Sequence, residues 1–95
     1  MLTDRLHKGQ AETTMSDRQP TNSDLGQAIR ELRRDRGMTL EVLAAAAGMH
    51  VTYLSRVERA HSSPTWEKLV GLARALEVPV SAIATAAEGQ AKSRR

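Results

Sequence analysis

The chain has 95 residues, with 14 Lys or Arg against 11 Asp or Glu, no Cys, no Phe, one Trp and one Tyr. That length suits one small domain. The lack of Cys removes disulfide frameworks, thiolate zinc sites and thiol catalysis, and two aromatics are too few for the stacking platforms that bind single strands. The longest apolar run, Val42 to Ala47, falls far short of the roughly 18 residues of a membrane span. The opening Met1-Leu2-Thr3-Asp4-Arg5 lacks the apolar stretch of a secretory signal. The expected class is a small cytoplasmic binding domain.

Residues 1–23 are rich in Thr, Ser, Gln, Asn and Asp, have no net charge, and offer only Leu2, Leu6 and Met15 as large apolar groups. Such a stretch cannot bury enough surface to offset its ordering entropy and is expected to be a disordered extension. Residues 24–86 carry eight bases and seven acids and show dense helical signals with no strand alternation. Residues 87–95, at net +2, are expected to form a flexible basic tail.

Five helices are predicted in the central segment, an all-α fold. The first runs from Asp24 to Arg36, capped by Ser23 and stopped by Gly37, with Leu25, Ile29 and Leu32 on one stripe. The second starts after Thr39, places Glu41 at its positive end, and stops at Gly48. Its alanines, Ala44 to Ala47, favour helix and permit a close neighbour. The third spans Val51 to Arg59. Thr65 caps a fourth that reaches Leu76 with Trp66, Leu69, Leu72 and Ala73 as apolar positions, and Pro79 separates it from a short fifth, Ser81 to Ala86. Trp66 and Tyr53 sit at helical spacing and read as core or edge packing.

The three residues Gly48-Met49-His50 join the second and third helices in the manner of a helix-turn-helix. Projected at 100° per residue, Val51, Thr52, Ser55, Arg56 and Arg59 share an arc of about 140° opposite Leu54 and Val57. That outer face has no acid. Its Arg can grip guanine, and its Val and Thr methyls can touch thymine, in a DNA major groove.

Three blocks of sequence now resemble one family. They are Arg30-Glu31-Leu32-Arg33, Gly37-Met38-Thr39-Leu40-Glu41-Val42-Leu43-Ala44 with Ala47-Gly48-Met49, and Tyr53-Leu54-Ser55-Arg56-Val57-Glu58-Arg59 followed by Pro64, Leu69, Leu72-Ala73, Ala75-Leu76 and Val78. Together they are similar to the Cro/repressor-type (XRE-like) helix-turn-helix DNA-binding family. The resemblance implies a five-helix domain over 24–86 that acts as a homodimeric bacterial transcription regulator on an inverted-repeat operator. Carried onto this chain, it implies base contacts from Val51, Thr52 and Arg56. Phosphates would be held at Thr39, Leu40, His61, Ser62 and Ser63, with His50, Ser55 and Arg59 as flanking contacts.

The resemblance also implies an ion pair between Arg33 and Glu58. Glu58 sits in the last turn of the third helix, at its negative pole, and borders the buried face, so an arginine partner relieves both costs. Four positions depart from the family pattern. Leu40 replaces a common Gln, His50 a capping Ser or Thr, Ala60 a Gly, and Trp66 a smaller aliphatic residue. The expected dimer surface comprises Val78, Val80, Ile83 and Ala84. No metal-ligand spacing, nucleophile–base pair or phosphate-cradling glycine loop is present, so neither a cofactor nor catalysis is expected. The alternative reading is a protein-interaction module or an antitoxin-like regulator that acts through a toxin or an RNA polymerase subunit.

Overall fold

A computed structural model describes residues 19–93. Helix α1 (Asn22–Asp35) begins at a capping box in which the Thr21 hydroxyl accepts from the Asp24 N–H and the Asp24 carboxylate accepts from the Thr21 N–H at 2.8 Å. The cap is therefore Thr21 and not Ser23, which is already helical. The reciprocal pair satisfies two end groups where a lone serine would satisfy one. α1 closes at Arg36, and Gly37 turns the chain away in a left-handed conformation.

Helix α2 (Leu40–Ala47) starts on Thr39, whose hydroxyl accepts from the Val42 N–H, and ends on Gly48 at φ 71°. Helix α3 (Val51–Glu58) follows, one residue shorter than predicted because Arg59 is already its C-cap. Thr65 caps helix α4 (Trp66–Leu76), which ends on Glu77 at φ 60°, a left-handed position held by a side chain instead of a glycine. Helix α5 (Val80–Ser93) completes the described residues.

The core is built from one face of each helix. Ile29 of α1, Leu43 and Ala44 of α2, Leu54 and Val57 of α3, Leu72, Ala73 and Leu76 of α4, and Ile83 of α5 form one buried cluster. Fully burying each of the large members contributes roughly 1.5–3 kcal/mol before the cost of ordering it. Every buried side-chain nitrogen and oxygen among the described residues has a hydrogen-bond partner.

The fifth helix differs most from expectation. It was predicted to stop at Ala86 and give way to a flexible tail, yet it continues to Ser93. Ile83, Ala87 and Ala91, spaced four apart, form its buried stripe, and α5 makes its most extensive packing against α1. Its five alanines favour helix by themselves, and burial of one stripe adds to that propensity. Arg94 and Arg95 lie outside the described residues, as does the N-terminal extension through Arg18. No single helix among the described residues is long and apolar enough to cross a membrane.

Candidate nucleic-acid interface

The joint between α2 and α3 is set by local bonds. Gly48 adopts the left-handed conformation, and the Met49 N–H donates to the Ala44 carbonyl at 2.9 Å. His50 then opens α3 without a side-chain cap bond. Leu54 and Val57 are buried, whereas Val51, Thr52, Arg56 and Arg59 are exposed and Ser55 is half-buried. Tyr53 is also half-buried, with the Lys68 ammonium 5.8 Å from its ring centroid.

Glu58 is the one acid in α3, and Arg33 takes it out of play. Arg33 Nε donates to Glu58 Oε2 at 2.7 Å and Nη2 donates to Oε1 at 3.0 Å, while Nη1 donates to the Met38 carbonyl at 2.8 Å. The two side chains are only 9% and 6% exposed. This bidentate geometry is the strong form of a charge-assisted pair. The hydrogen bond to Glu58 raises the Arg33 pKa above its ordinary value, against the opposing effect of burial. A cation whose pKa is raised on folding contributes stability that is lost only as pH climbs through that raised value. Arg33 therefore imposes no pH dependence near neutrality.

Beyond α3 the chain folds back on itself. Ala60 sits at φ 65°, which brings residues 61–63 beside the helix they have just left. The His61 N–H donates to the Arg56 carbonyl at 2.8 Å. Arg56 in turn donates from Nε to Ser62 Oγ and from Nη2 to the His61 carbonyl, both at 3.1 Å. Ser63 Oγ donates to Asn22 Oδ1 at 3.3 Å, tying the loop to the start of α1. Of the phosphate contacts implied at His61, Ser62 and Ser63, the His61 N–H is already committed to the Arg56 carbonyl and is not available as a backbone donor.

Left-handed backbone costs an alanine roughly 1–2 kcal/mol that a glycine does not bear, partly offset by glycine's larger unfolded-state entropy. Ala60→Gly is accordingly expected to stabilise the protein by about 1 kcal/mol, read as a higher urea midpoint with unchanged slope.

At the start of α2, Leu40 is half-buried against the core beside the exposed Thr39. The expected dimer surface is only partly available. Ile83 is 1% exposed and belongs to the core, so its side chain can meet no partner. Val78 and Val80 are half-buried against the same cluster, and Ala84 is exposed. Trp66 is also not where its spacing suggested. It is 67% exposed, because as the first residue of α4 it precedes the turn that packs inward. Among the described residues no three His, Asp or Glu side chains gather as a metal site.

Sequence reasoning missed Gly26. A Cβ at that position would lie 2.5 Å from the carbonyl oxygens of both Val57 and Glu58, so α1 and the end of α3 touch backbone to backbone there. An isolated glycine inside a helical pattern was the available signal. The link from Asn22 to Ser63 carried no local signal.

A family model described as a helix-turn-helix domain matches residues 24–86. The chain belongs to that helix-turn-helix family. Over 56 residues the domain is 41% identical to the HTH-type transcriptional regulator DdrOP3 of Deinococcus deserti, a match covering 59% of this chain and 43% of that protein. This chain thus corresponds to less than half of that regulator's length. Among solved structures it is similar to the clp gene regulator ClgR from Corynebacterium glutamicum, with a TM-score of 0.74 and 33% identity over 77% of this chain and 78% of that one. It is also similar to the restriction-modification controller protein C.AhdI from Aeromonas hydrophila, with a TM-score of 0.65 and 31% identity over 65% of this chain and 94% of that one. At these identities the likeness extends to the helix-turn-helix arrangement itself.

Proposed function

We propose that this helix-turn-helix domain binds duplex DNA sequence-specifically as a homodimer and regulates transcription, with α3 in the major groove. The observation that carries the reading is the outer face of α3. Val51, Thr52 and Arg56 on this short helix and Arg59 at its C-cap are exposed, while the helix's only acid is sequestered by Arg33. Regulators of similar sequence and fold, including a clp gene regulator and a restriction-modification controller, support it.

In this reading Val51, Thr52 and Arg56 touch base edges. The Leu40 N–H at the start of α2, together with Thr39, His50, Ser55, Arg59 and Ser63, meets the phosphates. Val78, Val80 and Ala84 form the apolar part of the dimer contact. Two such domains set half-sites about 34 Å apart. A cytoplasmic location follows from that role.

Selection from random duplex DNA tests the proposal. An inverted repeat preferred about a hundredfold or more over random sequence, with affinity falling log-linearly with salt, is the expected result. Arg56→Ala should then cost roughly 1–3 kcal/mol on the selected duplex and relax the preference at one base pair, measured by anisotropy titration. Equal losses on selected and random duplexes would remove Arg56 from base recognition. A second reading, a module that acts through a protein partner, is favoured by one observation, the 67% exposure of Trp66. Folded protein that enriches no DNA would leave that reading in place.

A further inference from the structure

The Arg56 guanidinium is a planar fork with five N–H donors on two usable edges. Its side-on edge, formed by Nε and the adjacent hydrogen of Nη2, is filled by Ser62 Oγ and the His61 carbonyl. Its end-on edge, formed by Nη1 and the second hydrogen of Nη2, has no hydrogen-bond partner among the described residues and lies at the tip of an exposed side chain. The acceptors are themselves held. The left-handed turn at Ala60, the bond from the His61 N–H to the Arg56 carbonyl, and the Ser63–Asn22 contact fix the loop against α3 and α1. A flexible side chain is thus pinned along one edge by a loop braced at three points.

We infer that Ser62 is a specificity-determining positioning residue, whose hydroxyl together with the His61 carbonyl orients Arg56 so that its end-on fork meets O6 and N7 of a guanine in the major groove. The inference rests on the DNA-binding reading above and deepens it. It replaces the expected role of Ser62 as a phosphate contact. A guanidinium bonded along one edge keeps a parallel pair of donors on the other, the pair that bidentate guanine recognition needs. Ordering that side chain before binding reduces the cost of ordering it in the complex. A phosphate contact would strengthen binding to all sequences alike, whereas an orienting contact acts only where the guanine is.

The test uses the full chain and the duplex enriched by selection. Each base pair is varied in turn, and affinities are measured for the parent, Arg56→Ala, Ser62→Ala, Ser62→Thr and the Arg56→Ala/Ser62→Ala double variant. Arg56→Ala is expected to lose roughly tenfold or more of the guanine preference at one base pair. Ser62→Ala is expected to lose about fivefold at the same pair, with affinity for random duplex within about twofold of the parent. Ser62→Thr, which keeps the hydroxyl, restores the preference, and the double variant discriminates no worse than Arg56→Ala alone. Overlapping thermal melts exclude a folding defect.

Unchanged discrimination in Ser62→Ala overturns the inference. So does an equal loss on selected and random duplexes, or a threonine that fails to restore the preference. Each of these leaves the DNA-binding reading standing. A folded parent that enriches no site overturns both.

Discussion

Arg33→Met is expected to destabilise the protein by about 3–5 kcal/mol, because it leaves the Glu58 carboxylate buried without a partner. Three facts make this site severe. Glu58 is 6% exposed in its side chain, so water cannot replace the guanidinium. It is the last residue of α3, where the helix dipole already disfavours negative charge. The Met38 carbonyl loses its donor in the same substitution. A domain this small has little more stability than that to lose, so a drop in Tm of about 15 °C or more is expected.

The double variant Arg33→Met/Glu58→Leu separates the pair's net worth from the penalty of stranding one charge. It should recover most of the loss, since a buried ion pair and an apolar pair of similar volume are often near equal in stability. Urea unfolding of the three proteins measures the cycle. A single-variant cost below about 1 kcal/mol would mean that Glu58 is better solvated than its geometry indicates.

Gly26→Ala has the next largest expected effect, a loss of about 3 kcal/mol, at the upper end of typical overpacking costs. The obstructing atoms are the carbonyl oxygens of Val57 and Glu58, each 2.5 Å from the added carbon. Backbone atoms cannot rotate aside as a side-chain tip can, so α1 and α3 must separate until ordinary contact at 3.4 Å or more is reached. That separation pulls directly on the Arg33–Glu58 pair. Gly89→Ala is the control. Gly89 is also helical, but nothing lies within 4 Å of its added Cβ. There the substitution should stabilise by about 0.5–1 kcal/mol, the helical preference of alanine over glycine. The two variants are thus expected to move the urea midpoint in opposite directions. Equal gains from both would show that the close approach at Gly26 does not exist.

Much of the fold was legible because its punctuation is local. Thr39 and Thr65 bond N–H groups three residues ahead, and Gly48 ends α2 through its own φ. Such contacts need no distant partner, so the ends of α2 and the start of α4 read correctly from the chain. The start of α1 was legible too but misread, since Thr21-x-x-Asp24 is a capping-box spacing and Ser23 lies within it. The long α5 was misread as well. Gly89 and the charges around it resemble a tail, although Ala87, Glu88, Gln90, Ala91 and Lys92 all favour helix, and the burial of Ala87 and Ala91 shows only in the packed structure. Ile83 was misassigned for the same reason. An apolar residue on a surface-seeking helix looks identical in sequence whether its neighbour is another chain or its own core.

The sequence by itself determined an all-α chain, the positions of most helices, the acid-free outer face of α3 and the family to which the domain belongs. The first three follow from spacing, caps and residue chemistry, each a property of a few consecutive residues, and the family from the resemblance of three blocks of sequence. Tertiary structure alone decided that Gly26 lets α1 meet the end of α3 and that Arg56 is braced by Ser62 and His61. Each of these joins residues far apart in the chain or turns on a backward fold at Ala60. The physical reason is that periodicity specifies which direction a side chain leaves its own helix, while its partner depends on how the helices pack.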